Sequence, residues 1–146
     1  MKVIQEIVTN KCIYIPFLLW VIIQIVKFIT DLIKNKKINL RRLVGAGGMP
    51  SSHSAVVTSL SILIGKQYGF DSGIFAVTLI MALIVMYDAA GVRRAAGKQA
   101  RILNKILETP GLTTSEVHEK LVEALGHTPV QVFMGALIGI IAGAIF

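Results

Sequence analysis

Four stretches of the chain are almost continuously apolar, at residues 13–33, 50–64, 74–92 and 129–146, with polar segments between them. The first matches the ~20 residues a helix needs to cross ~30 Å of hydrocarbon. It nevertheless carries Lys27 and Asp31. The second reaches only about 22 Å as a helix, because Gly65 and Gly69 bracket Lys66-Gln67-Tyr68 as a polar turn. It is expected to tilt in thinned lipid or to be partly buried in protein. The third holds Asp88 near its far end. In the fourth, Gly135, Gly139 and Gly143 have the small-residue spacing that lets helices approach closely, within the chain or in a homodimer. The pattern predicts an all-α, polytopic transmembrane bundle of about four membrane helices, forming a single domain over residues 1–146.

Amphipathic cytoplasmic helices are expected between the third and fourth stretches. Ile102, Leu103, Ile106 and Leu107 form one apolar stripe that ends before Thr109-Pro110-Gly111. Val117, Leu121, Ala124 and Leu125 form another, opened by a Thr113/Glu116 capping box and closed at Gly126, where a left-handed residue is wanted. His118 falls on its solvated side.

Composition narrows the class. Apolar residues make up 54% of the chain against 16% charged, and mean hydropathy is +0.71, more than a soluble domain of this size can hide in its core. The amino-terminal apolar stretch is too long for a removable signal and is expected to remain as an anchor. A lone cysteine, Cys12, reads as a small buried hydrophobe. The formal charge of +7 collects in two segments: Lys34, Lys36, Lys37, Arg41 and Arg42 after the first stretch, and Arg93, Arg94, Lys98 and Arg101 after the third. Both should face the cytoplasm, serving as topology signals and drawn to anionic headgroups. Without a folded soluble module beside the charge, nucleic acid is not an expected partner.

The candidate chemistry lies at two helix starts on that face. In Gly45-Ala46-Gly47-Gly48-Met49-Pro50-Ser51-Ser52-His53, glycines permit an unusual loop, Pro50 suits a first helical position, and the amides that follow point free N–H groups at an anion. His53 in the first turn can donate a proton, and Ser51 and Ser52 can add hydroxyl hydrogen bonds. In Gly126-His127-Thr128-Pro129, Thr128 suits the cap and His127 stands just ahead of the last membrane helix. For a lone histidine, interfacial capping would be the simpler reading. Two histidines in the same setting, with arginines nearby, point instead to a phosphate site.

Three blocks carry a resemblance: Gly47-Gly48-Met49-Pro50-Ser51-Ser52-His53-Ser54-Ala55, Met86-Tyr87-Asp88-Ala89-Ala90-Gly91-Val92-Arg93-Arg94, and Leu125-Gly126-His127-Thr128-Pro129. Together they resemble the signatures of the divergent family related to acid phosphatase and vanadium-dependent haloperoxidase, distantly similar to the type 2 phosphatidic acid phosphatases. That superfamily uses Lys-x6-Arg-Pro, Pro-Ser-Gly-His and Ser-Arg-x5-His-x3-Asp blocks and hydrolyses phosphate esters through a phosphohistidine, with no metal or other cofactor.

The resemblance implies His53 as the general acid, with Ser52 in place of the block's glycine, and His127 as the nucleophile. Four residues after His127, where the superfamily has Asp, stands Gln131, which can hold the ring but lends it no charge. Asp88 could supply that charge or pair with Arg93 or Arg94. Those two arginines match the third block's arginine in type, although 32 residues lie between Arg94 and His127. For the first block, Lys34 and Arg41 have the right interval without the proline, and Lys27 inside the membrane stretch is the rival.

The implied function is a membrane lipid-phosphate phosphatase, acting on phosphatidic acid, phosphatidylglycerophosphate or polyprenyl phosphates. A non-catalytic lipid-phosphate binding or carrier protein is the alternative that Gln131 keeps open. A CDP-alcohol phosphotransferase, faintly suggested by Asp88-x2-Gly91-x2-Arg94, lacks the further metal-binding aspartates. Haloperoxidase activity is not expected.

Overall fold

A computed structural model describes residues 1–36, 38, 48–108, 121 and 126–146. The described chain is all-helical: α1 Lys2–Thr9, α2 Lys11–Asn35, α3 Ser52–Tyr68, α4 Gly73–Ala90, α5 Val92–Leu107 and α6 Pro129–Ile145. The expected cytoplasmic helix with the Thr113/Glu116 capping box and His118 lies outside the described residues, as does Arg41.

The first apolar stretch becomes α2, two residues longer at each end than expected. The Asn10 side chain caps its start, and Lys36 in the left-handed conformation ends it. The short amphipathic α1, absent from the sequence expectations, precedes it, and none of its residues is buried. The second stretch departs most from expectation. Pro50 lies before the helix, which begins at Ser52 with Ser51 as its cap, and the predicted turn at Gly65 is helical. Gly65 is accommodated because the Phe70 ring packs where a Cβ would stand. The helix stops instead at Gly69, whose φ of +93° costs a glycine little. The third stretch breaks at Gly91, with φ −99° and ψ −89°, so α4 ends before the arginines and α5 begins with them. The fourth stretch becomes α6 as expected, with Pro129 in its first turn and a Thr128/Gln131 capping box.

The spine of the bundle is α3, against which α2, α4 and α6 all pack. At one end, Cys12 and Ile15 of α2 meet Leu63 and Ile64 of α3 in an apolar core. Elsewhere the buried face of α3 is Ser52, Ser54, Ala55, Thr58, Ser59 and Ser61. These small residues match the glycine face of α6. A Cβ at Gly135, Gly139 or Gly143 would lie under 3.0 Å from Ser51, from Thr58 and Ala55, or from Ser59 and Ile62. The glycine series therefore serves packing within the chain. Thr58 adds a hydrogen bond across the seam to the Ala136 carbonyl at 3.2 Å.

Two helical stretches are long and apolar enough to cross a membrane, Lys11–Asn35 and the run Gly73–Leu107 that joins α4 and α5. That is fewer than the four expected. The helix α6 is apolar but short, and α3 has spent its small polar side chains on the protein interior. Only 11% of the apolar window in the second stretch is buried, which suits a lipid-facing helix and not the core helix of a soluble fold.

Candidate functional site

The contacts set the helix directions. Cys12 lies by Gln67 and Lys27 by Ser52, so α2 and α3 are antiparallel. Gly135 meets Ser51 and Gly143 meets Ser59, so α3 and α6 are parallel and both N-termini open at the same end. The Ser51 N–H donates to the Gln131 carbonyl at 3.0 Å and ties these two starts together. Two positive helix ends thus converge on one place, an arrangement that favours an anion.

His53 and His127 meet there edge to face, with ring centroids 5.9 Å apart. His127 is 2% exposed. Its backbone N–H donates to the Ala89 carbonyl at 2.9 Å, fixing the loop against the end of α4. Gly126 makes that approach possible, because a Cβ on it would strike the backbone of Arg93 and Arg94. The 32 intervening residues are thereby bridged, and the backbone of Arg93 and Arg94 is seated beside the residue that precedes His127.

The hydrogen bonds around Gln131 fix the imidazole. Gln131 Oε1 accepts from the Thr128 N–H at 3.0 Å, so this atom is the amide oxygen and not the nitrogen. The same oxygen lies 3.3 Å from His127 Nδ1, which must therefore carry the proton. The Nε2 lone pair is left available. That atom is buried with no hydrogen-bond partner among the described residues, and His53 Nδ1 is in the same condition. Burial, then the nearby Lys27 ammonium, holds His127 below the ordinary histidine value of 6.5, and hydrogen bonding to Gln131 and to the Gly48 backbone offsets part of this.

Lys27 is turned into the protein. It is 6% exposed, its stem crosses Gly48, and its ammonium donates to Ser52 Oγ at 3.4 Å. Lys34, two turns later and exposed, borders the same cavity of about 270 Å³, together with Asp31, Gly48 and Met49. Lys27 and Lys34 also have the first block's six-residue interval, without its Arg-Pro. Asp88 pairs with Arg93 at 2.7 Å. The atom facing His127 Nδ1 is the Gln131 Oε1. Ser51 has a structural duty, its fully buried hydroxyl capping Ser54 N–H. Arg94 is exposed at the start of α5. Among the described residues no three or more His, Cys, Asp and Glu side chains cluster as metal ligands.

Fold and site together define a helical membrane protein in which two histidines meet at the starts of two parallel helices. The chain belongs to the Divergent PAP2 family, whose model matches residues 8–142. It is similar to the uncharacterized membrane protein YuiD of Bacillus subtilis (strain 168), 39% identical over 148 residues and covering 94% of each chain. No solved structure matches it.

Proposed function

We propose that the protein is a metal-independent lipid-phosphate phosphatase of the bacterial membrane, with its site at the cytoplasmic end of the bundle. The observation that carries this reading is the pair of histidine rings, His53 and His127, 5.9 Å apart where the N-termini of α3 and α6 converge. In the proposed reaction the His127 Nε2 lone pair attacks phosphorus as the bond to the lipid oxygen breaks, and His53 gives its proton to that oxygen. Water, losing its proton to His53, then attacks phosphorus, releasing phosphate and restoring neutral His127. Lys27, Arg93 and Ser52 would hold the equatorial oxygens, with Lys34 and Arg94 nearer the entrance. Four helices, α2, α3, α4 and α6, would cross the bilayer, α3 and α6 being short, with the basic residues on the cytoplasmic side.

Purified protein should release phosphate from phosphatidic acid, phosphatidylglycerophosphate or a polyprenyl phosphate in micelles. Activity that is absent, or indifferent to both His53→Ala and His127→Ala, would sink the proposal. Gln131 favours one second reading, a protein that binds lipid phosphate without turning it over, since a neutral amide cannot stabilise a cationic ring. Gln131→Glu separates the two: an impaired enzyme gains rate, and a carrier gains none.

A further inference from the structure

The helix α5 divides lengthwise into three faces. Gly97, Ala100 and Asn104, at intervals of three and four, are buried, and the Asn104 side chain exchanges two hydrogen bonds with the Leu121 backbone, at 2.9 and 3.0 Å. This face is the one covered by protein. Arg94, Lys98, Arg101 and Lys105 recur at the same helical intervals on a second face and are all exposed. The third face carries Val92, Ile102, Leu103 and Ile106, between 48% and 63% exposed, with Gln99 its one polar interruption. A helix end in water has no reason to present such a stripe beside a row of four cations.

We propose that α5 is an in-plane docking helix for an anionic phospholipid leaflet, its apolar stripe in the outer acyl layer and its basic stripe against headgroup phosphates. Two observations favour lipid over a protein partner. The first is charge complementarity, since a basic amphipathic helix with adjoining apolar and cationic stripes matches an acidic bilayer surface. The second is continuity: α5 follows directly on α4, whose apolar surface is already uncovered, and the non-helical Gly91 gives the chain a place to change direction. Because Arg93, in the first turn of α5, pairs with Asp88 near the end of α4, docking would hold the histidine site at headgroup depth and enrich acidic lipid beside it. The inference does not rest on turnover and survives if the protein is a carrier.

The test is spin-label accessibility on the full chain in vesicles. Leu103→Cys and Ile106→Cys probe the apolar stripe and Lys98→Cys the basic one; the unsubstituted chain, whose Cys12 is buried, serves as the labelling blank. In phosphatidylcholine vesicles with about one third phosphatidylglycerol, labels at 103 and 106 should collide several-fold more with oxygen than with a water-soluble nickel chelate, and the label at 98 should show the reverse. In pure phosphatidylcholine the contrast at 103 and 106 should shrink, each lysine or arginine near an anionic surface favouring docking about five-fold. Equal nickel access at all three positions would overturn the proposal. So would a contrast that ignores the anionic lipid, or spin–spin broadening at 103, which would place a second copy of the chain on the stripe.

Discussion

Replacing Gln131 by leucine removes one oxygen that serves two donors, the Thr128 N–H at 3.0 Å and His127 Nδ1 at 3.3 Å. The cap contribution is about 1 kcal/mol. Leaving the buried Nδ1–H without an acceptor costs a further 1–3 kcal/mol or so, since His127 is only 2% exposed. The chain can avoid the second cost only by turning the ring or moving the proton to Nε2. Either escape takes the lone pair away from the position it holds beside His53. In a serine-protease triad a tautomer error of this kind lowers turnover on the order of 10⁴-fold, and a loss of similar size is expected here. The direct assay is nitrogen NMR of 15N-histidine protein in micelles, with the His127→Ala spectrum assigning the resonance. The unsubstituted protein should show His127 neutral and protonated on Nδ1 at neutral pH, and Gln131→Leu should shift that resonance and lower the melting temperature. A wild-type ring protonated on Nε2, or a spectrum unchanged by Gln131→Leu, would refute the reasoning.

Three further outcomes are expected. Gly139→Ala puts a methyl group against Thr58 and the Ala55 backbone and should destabilise the detergent-solubilised protein by about 1–3 kcal/mol; Gly73→Ala, with nothing within 4 Å, should stay within about 0.5 kcal/mol. Lys27→Met should preserve the fold while weakening orthophosphate or vanadate binding roughly ten- to a hundredfold, the loss of one hydrogen bond to a charged group, as read by isothermal titration calorimetry. Because His127 is held below 6.5 by burial and Lys27, the unfolded chain binds the extra proton first. Its contribution to stability is therefore intact above pH 6.5 and is lost as pH falls from there through the folded value. Melting temperatures across that range should decline for the wild type and less for His127→Gln.

What could be read from the sequence was governed by how local each signal is. The start of α6 is legible because Thr128, Pro129 and Gln131 are neighbours whose cap chemistry needs no other element. The end of α3 was misplaced because Gly65 breaks a helix only when nothing fills its missing side chain, and the Phe70 ring that fills it belongs to tertiary packing. Lys27 was visible as a costly charge in an apolar stretch, but its burial beside Ser52 depends on the antiparallel pairing of α2 and α3. The approach of Arg93 to the histidines rests on one residue, Gly126, seated against a backbone distant in sequence. Counting apolar stretches gave four candidate spans, of which two are long and apolar enough by themselves to cross lipid; that the serines of α3 are satisfied by protein is a property no local window contains.

The serine-lined spine also bears on how the protein is made. A helix that turns Ser54, Thr58, Ser59 and Ser61 inward gains little from entering lipid on its own, and its main shelter, the glycine face of α6, is synthesised after α4 and α5. Until those 17 residues arrive, α3 is a half-covered polar ridge that insertion machinery must shield or hold at the bilayer edge. A chain cut short before Pro129 would lack the glycine face that covers this ridge, so α3 depends for its packing on the last helix to be synthesised.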